Sequence, residues 1–142
     1  MTASSPGFVY PKITPASLYI NRREPEAGLP SSGNSFMDLL AKLLMVYGRR
    51  SPEFHARKMG LVKHSDFNAA IRAMTGLRAC DWIDEYIHIA ACDLLRNTDR
   101  SITLIARQLG FSSIATFSQF FRRIQRQSPY AYRHNGATYH FP

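Results

Sequence analysis

Residues 101–133 read SITLIARQLGFSSIATFSQFFRRIQRQSPYAYR, and this stretch decides the fold. Ser101 can accept a backbone N–H bond and so start a helix. Ile102, Ile105, Ala106 and Leu109 then recur at helical spacing. Gly110 follows the last of them, at the point where a left-handed C-cap favours a residue without Cβ. Phe111-Ser112-Ser113 makes a turn, and a second helix begins near Ile114. Phe117, Phe120, Phe121 and Ile124 form its inward stripe, leaving Ala115, Ser118, Gln119 and Arg122 outward. Two short helices joined by a glycine-containing turn make a helix-turn-helix, whose second helix enters the DNA major groove.

The same pattern stands 50 residues earlier, in 51–83, SPEFHARKMGLVKHSDFNAAIRAMTGLRACDWI. Ser51 pairs with Ser101, Ala56 with Ala106, Arg57 with Arg107, Gly60 with Gly110, Phe67 with Phe117 and Arg72 with Arg122. Similar apolar pairs fill the gaps: Met59 with Leu109, Ile71 with Phe121, Met74 with Ile124, Trp82 with Tyr132. The matches fall on caps, turn, core and basic face together, which predicts two helix-turn-helix units in one chain. Ser51 caps the first helix of this unit with Pro52 at its first position. A helix from His64 to Thr75 follows, with Phe67, Ala70, Ile71 and Met74 inward, and Gly76 ends it.

Between the units lies a helix from about residue 79 to 97. Its inward face is Ile83, Tyr86, Ile87, Ala90, Ala91 and Leu94. Asp81, Asp84 and Glu85 near its start and Arg96 at its end complement the helix dipole. Its length is about 28 Å at 1.5 Å per residue. One B-DNA turn is about 34 Å, so such a helix could hold two reading helices near successive major grooves. Ahead of the first unit, a helix runs from Ser35 to about Tyr47, with Phe36, Leu39, Leu40, Leu43, Leu44 and Tyr47 as its core-facing stripe. Gly48 ends it. The following Arg49-Arg50 suits either the helix dipole or a phosphate. At the other end, Ser128 and Pro129 start a last short helix.

Residues 1–35 hold five of the eight prolines and read as an irregular arm with some strand character in FVYPKITPASLYI and a linker-like SSG at 31–33. The net charge is +8 and the pI about 9.9. Only Lys12, Arg22 and Arg23 of the 18 basic residues precede residue 36, so the basic excess belongs to the helical part and suits nucleic acid. The three in the arm are further candidates for phosphate. No apolar run is long enough to span a membrane, and the start lacks a secretory pattern. Cys80 and Cys92 lie too far apart on one helix to pair and read as reduced core thiols, in keeping with a cytoplasmic protein.

Several of these residues carry a resemblance. Ile105-Ala106, Leu109-Gly110-Phe111, Phe117-Ser118-Gln119-Phe120-Phe121-Arg122-Arg123 and Ser128-Pro129-Tyr130-Ala131-Tyr132-Arg133 stand as in the DNA-binding domain of AraC/XylS-type bacterial transcription regulators. Residues 36–133 resemble that domain. The fold expected is all-α: a seven-helix domain, 36–134, of two helix-turn-helix subdomains joined by a linker helix, preceded by the irregular arm 1–35 and followed by a frayed tail, 135–142. Arg126 departs from the family pattern, which has glycine before the final Ser-Pro, and predicts a strained or differently capped helix end. The arm is too short to be the effector or dimerisation domain that many members carry, so no ligand response carries over.

The resemblance implies a sequence-specific regulator that binds double-stranded DNA, with base contacts from His64, Ser65, Asn68 and Ala69 in the first unit and from Ile114, Ala115, Ser118 and Gln119 in the second. Asn68 and Gln119 can donate and accept at once, as adenine reading requires. Ile114 and Ala115 suit thymine methyls. Lys63, Arg72, Arg122 and Arg123 flank these faces and are expected on phosphates, which fixes register without reading sequence. Arg133 is expected to pin the last helix by a salt bridge. Asp66 and Ala69 make the first unit the poorer reader by composition. The alternative is a helical protein-interaction module acting through a partner regulator or RNA polymerase, which family members recruit. No catalytic signature occurs, and His88 with Cys92 supplies too few ligands for zinc, so neither an enzyme nor a cofactor or metal is expected.

Overall fold

The structure, a computed structural model, describes residues 13–22, 34–61 and 63–135. Eight helices stand among them: α1 (Pro15–Arg22), α2 (Ser35–Tyr47), α3 (Pro52–Lys58), α4 (His64–Thr75), α5 (Ala79–Asn97), α6 (Ile102–Gln108), α7 (Ile114–Gln125) and α8 (Pro129–His134). From α2 to α8 this is the arrangement expected, two helix-turn-helix units, α3–α4 and α6–α7, on a linker helix.

The internal repeat is carried into the backbone. Helices α3 and α6, and α4 and α7, have boundaries offset by 50 residues. Ser51 and Ser101 accept from the backbone N–H groups of Phe54 and Leu104. Leu61 N–H donates to the Ala56 carbonyl at 2.9 Å, and Phe111 N–H to the Ala106 carbonyl at the same distance. The helix ends correspond too: Gly76 N–H donates to Arg72, and Arg126 N–H to Arg122, each at 2.8 Å. Trp82 and Tyr132, at equivalent positions, are both buried.

Helix α5 is the spine. It packs against α1, α2, α4, α6, α7 and α8. Contact on so many sides explains why its buried positions go round the helix, from Ala79, Trp82 and Ile83 to Cys92, Leu94 and Leu95, beyond one amphipathic stripe. Its C-terminus is held by Arg133 of α8, whose guanidinium donates to the Leu95, Thr98 and Leu94 carbonyls at 2.9, 3.2 and 3.4 Å. The pin expected of Arg133 is therefore made to backbone oxygens instead of a carboxylate. It satisfies the unpaired carbonyls that every helix end leaves.

A second link joins the two units directly. Gly48 lies at φ +78° and Gly110 at φ +89°, and their backbones touch. A Cβ on Gly48 would lie 2.5 Å from the Leu109 carbonyl carbon, and one on Gly110 2.7 Å from the Arg49 nitrogen. Arg49 N–H donates to the Leu109 carbonyl at 2.7 Å. Its side chain donates to Asp84 at 2.8 Å and lies over the rings of Phe120 and Phe111. Arg49 takes a role beyond the two readings left open for it: its guanidinium clamps the first unit to α5 and to the second. Arg50 lies over Phe54.

The structure departs from the sequence reading in four further places. The arm is not irregular throughout, because residues 15–22 form α1. Thr14 accepts from Ser17 N–H, and Leu18 and Tyr19 are buried against α5. Tyr19 also stacks edge-on to Tyr86 and donates to Asp93, while Trp82 Nε1–H donates to the Ile13 carbonyl. The β-favouring Tyr and Ile of this run yield to an apolar surface on α5 that a helix face fits. Lys12, the SSG linker and the tail beyond residue 135 lie outside the described residues. The buried face of α2 is Met37, Leu40, Ala41 and Leu44, rotated from the expected stripe, with Leu39 exposed. Asn34 caps α2 by accepting from Met37 N–H, so the helix starts at Ser35 as expected. Ile124, expected in the core, is 40% exposed. Both cysteines are free, but Cys80 is exposed; only Cys92 is buried, which pushes its thiol up to about 11.

Two buried histidines share one arrangement. His55 Nε2 donates to the Gly48 carbonyl at 3.2 Å, and His88 Nε2 to the Gln125 side-chain oxygen at 2.6 Å. In each ring Nδ1 is buried without a hydrogen-bond partner among the described residues. Protonation would place a charge there. Burial therefore lowers both pKa values, against the opposing pull of the Gly48 and Gln125 bonds, and Arg50 lowers His55 further.

Three outcomes follow from this packing. Gly48→Ala is expected to cost about 3 kcal/mol or more, from backbone strain plus the clash with Leu109, whereas Gly60→Ala costs roughly 1–2 kcal/mol of strain alone, since nothing lies within 4 Å of its Cβ; urea unfolding compares them. Arg126 is the non-glycine residue with positive φ among the described residues, at +65°, so Arg126→Gly is expected to stabilise by about 1 kcal/mol and raise Tm. Because His55 and His88 are depressed in the fold, the unfolded chain takes protons first. Stability is full above the ordinary histidine value of about 6.5 and is lost as pH falls below it. Urea midpoints at pH 7.5 and 5.5 should therefore differ, and the difference should shrink in a His55→Gln/His88→Gln variant.

Candidate nucleic-acid interface

Each second helix of the pair is held by its inward residues and leaves one face to solvent. In α4, Phe67 and Ile71 are fully buried, which turns His64, Ser65, Ala69 and Arg72 outward and leaves Asn68 half-buried. In α7, Phe117, Phe120 and Phe121 are buried, and Ile114, Ala115, Gln119, Arg122 and Arg123 face out with Ser118 half-buried. Lys63, at the N-cap of α4, is exposed. All twelve residues singled out from the sequence thus reach solvent wholly or in part, and each set of four reader positions falls on one helix face.

The two faces are built differently. Helix α7 begins with a reciprocal capping box: Ser113 Oγ accepts from Thr116 N–H at 3.1 Å, and Thr116 Oγ1 from Ser113 N–H at 3.2 Å. This fixes the entry angle beside Ile114, which is 44% exposed. Helix α4 has no side-chain cap at Lys63. Its first turn is ordered by side chains instead. Asn68 Nδ2 lies 2.8 Å from His64 Nε2, and His64 Nδ1 lies 3.5 Å from a Glu53 carboxylate oxygen on α3.

A hollow of about 420 Å³ opens on the α4 face, with His64, Asn68, Ala69, Arg72 and Arg78 among its walls. Four of the residues expected at DNA therefore share one concavity. Arg78 was not singled out from the sequence. It is exposed and donates to Asp81 at 2.9 Å, and that bond holds its pKa above the ordinary value. Glu53 was also missed; read alone it is an acid in a helix first turn, and only the packing of α3 on α4 brings it to His64. Arg72 and Arg122 make no ion pair with the described residues. Arg123 lies over the Phe120 ring at 5.6 Å, which limits its swing.

Among the described residues, no three His, Cys, Asp or Glu side chains are grouped to hold a metal. His88 and Cys92 do approach each other, with Sγ 3.6 Å from Nε2, but both turn to Gln125. No helix among the described residues is long and apolar enough to cross a membrane.

Comparison with known proteins agrees with this geometry. Residues 56–135 match the model of a helix-turn-helix domain family. The regulatory protein PocR of Salmonella typhimurium strain LT2 is 34% identical over 67 residues, which is 47% of this chain and 22% of PocR. The chain thus matches about a fifth of the length of that relative. Among solved structures, the C-terminal domain of the response regulator yesN from Fusobacterium nucleatum has a TM-score of 0.61 at 18% identity, covering 70% of this chain and 99% of that one. The DNA-binding domain of AdpA, solved with a target DNA, has a TM-score of 0.58 at 24% identity, covering 68% of this chain and 87% of that one. At those identities the structures share the fold, and the family match supplies the rest. With two helix-turn-helix units on one linker helix and more than half of its length matched, the chain belongs to the AraC-type helix-turn-helix family of DNA-binding transcription regulators.

Proposed function

We propose that α4 and α7 read successive major grooves of one double-stranded DNA site. His64, Ser65, Asn68 and Ala69 face bases in one groove, and Ile114, Ala115, Ser118 and Gln119 in the next. Lys63, Arg72, Arg122 and Arg123 hold the phosphates. The observation that carries this reading is the repeat: two units with element boundaries 50 residues apart, each exposing the second helix. The spine α5 and the Gly48–Gly110 contact hold the units together as one body. At about 28 Å, α5 is comparable with the roughly 34 Å of one B-DNA turn. AdpA's domain, which shares the fold, was solved with a target DNA, and the +8 charge of this chain suits the same class of partner.

Selecting bound duplexes from a random pool tests this. A preferred site spanning two adjacent turns is expected. A site confined to one turn would remove one reading helix from the proposal, and equal affinity for all duplexes at moderate salt would remove sequence reading altogether. Gln119→Ala is expected to change preference at one or two base pairs, by about 1–3 kcal/mol of discrimination. Arg122→Ala should instead weaken all sequences alike and lower the salt slope by about one.

A further inference from the structure

We propose that Glu53 and His64 are positioning residues that hold the Asn68 amide in the one orientation that reads adenine. The inference rests on α4 facing the major groove. His64 and Asn68 are four apart and share a helix face. The contact between them is Nδ2 to Nε2, at 2.8 Å. An amide nitrogen only donates, so Nε2 is the acceptor. A neutral imidazole with Nε2 accepting carries its proton on Nδ1, and Nδ1 is the atom that faces the Glu53 carboxylate at 3.5 Å. The carboxylate on α3, close enough to act by its charge but not hydrogen-bonded, favours the proton on the nearer nitrogen, and that tautomer favours this amide orientation.

The consequence for reading is chemical. One Asn68 N–H is taken by His64. The other N–H and the carbonyl oxygen remain, one donor beside one acceptor. Adenine offers the complement, an N7 acceptor and an N6 amino donor. Guanine offers two acceptors, N7 and O6, and would need two donors from the amide. Turning the amide over to supply them sets its oxygen against the Nε2 lone pair and loses the bond to His64. In this arrangement His64 serves Asn68 and is not itself a base reader, which revises its place in the face.

The second unit has no equivalent. Fifty residues on, Glu53, His64 and Asn68 become Thr103, Ile114 and Ser118, which cannot make this chain of contacts. The relay is therefore private to the first unit and gives the second as an internal control. Its members carry little of the fold: the His64 and Glu53 side chains are 42% and 53% exposed, and exposed pairs of this kind contribute little to stability.

The test is selection from a random duplex pool with the full chain and with Asn68→Ala, His64→Ala and Glu53→Gln variants, reading base frequencies at every position. Asn68→Ala is expected to abolish an adenine preference at one position of the α4 half-site. His64→Ala and Glu53→Gln should lower adenine-over-guanine preference at that same position about fivefold or more, the low end for a bidentate pair, and leave the α7 half-site unchanged. If Asn68→Ala acts and the other two do not, the relay is overturned while α4 remains a reader. If His64→Ala alters a different position, His64 is a reader and the relay is overturned. If Asn68→Ala changes nothing, α4 does not read through this amide and the relay is overturned, while a selected site confined to one turn in the unaltered chain is what removes α4 as a reader. Imidazole ¹⁵N shifts give a measurement that needs no folded variant: His64 in the unaltered chain should carry its proton on Nδ1, and a proton on Nε2 would overturn the relay.

Discussion

Two backbones meet where Gly48 leaves α2 and Gly110 leaves α6, and the rest of the arrangement depends on that contact. Neither position tolerates a Cβ, because the neighbouring chain lies at 2.5–2.7 Å from where it would stand. The approach is close enough for Arg49 N–H to bond the Leu109 carbonyl across the two units. Gly48 is tied on its other side as well, since His55 from α3 donates to its carbonyl. One residue therefore joins the end of α2, the first helix of one reading unit and the turn of the other. Two short helical units on a single linker helix could pivot about that helix. A second, non-adjacent link opposes the pivot, and a reader of two grooves needs a fixed spacing between its reading helices.

Helix α5 supplies the other link, and its burial explains where polar groups had to be accommodated. A helix covered on many sides must satisfy any polar group it carries. His88 Nε2 and Cys92 Sγ do so through Gln125 at the end of α7, and the carbonyls at the C-terminus do so through Arg133, while His88 Nδ1 stays without a partner among the described residues. Helix α1 covers a further part of the spine around Trp82 and Tyr86, with Leu18 and Tyr19 as its anchors. The segment that composition marks as an irregular arm thus contributes to the core of the first unit.

The two reading faces divide their means. Helix α7 is organised through its backbone, by a capping box before Ile114, and offers amide and arginine on a largely aromatic support. Helix α4 lacks that cap and is organised through side chains, from Glu53 to His64 to Asn68. By composition the first unit is the weaker reader, with Asp66 and Ala69 on its outward side. In the structure the Asn68 amide nonetheless has a neighbour, His64, that can orient it.

Much of the fold was legible in the chain itself, for local reasons. Helix caps at Ser51, Ser101 and Ser128, turns at Gly60 and Gly110, and the 50-residue repeat depend on backbone chemistry over three to ten residues, which sequence spacing states directly. The outward positions of α4 and α7 followed from the same periodicity, because the buried aromatics of α7 and the buried Phe67 and Ile71 of α4 determine what is left outside. Tertiary structure alone decided the rest. Whether residues 15–22 become a helix depended on the apolar surface of α5, not on their own propensity. The buried face of α2 depended on which neighbours covered it. Arg49, Arg133 and Glu53 took their roles from atoms 11 to 60 residues away, which no local pattern encodes. Sequence determined the repeated elements, their caps and the outward faces of α4 and α7 because those are short-range. Packing decided which charges clamp, which cap and which orient a reading group, because those depend on distances set only when the helices come together.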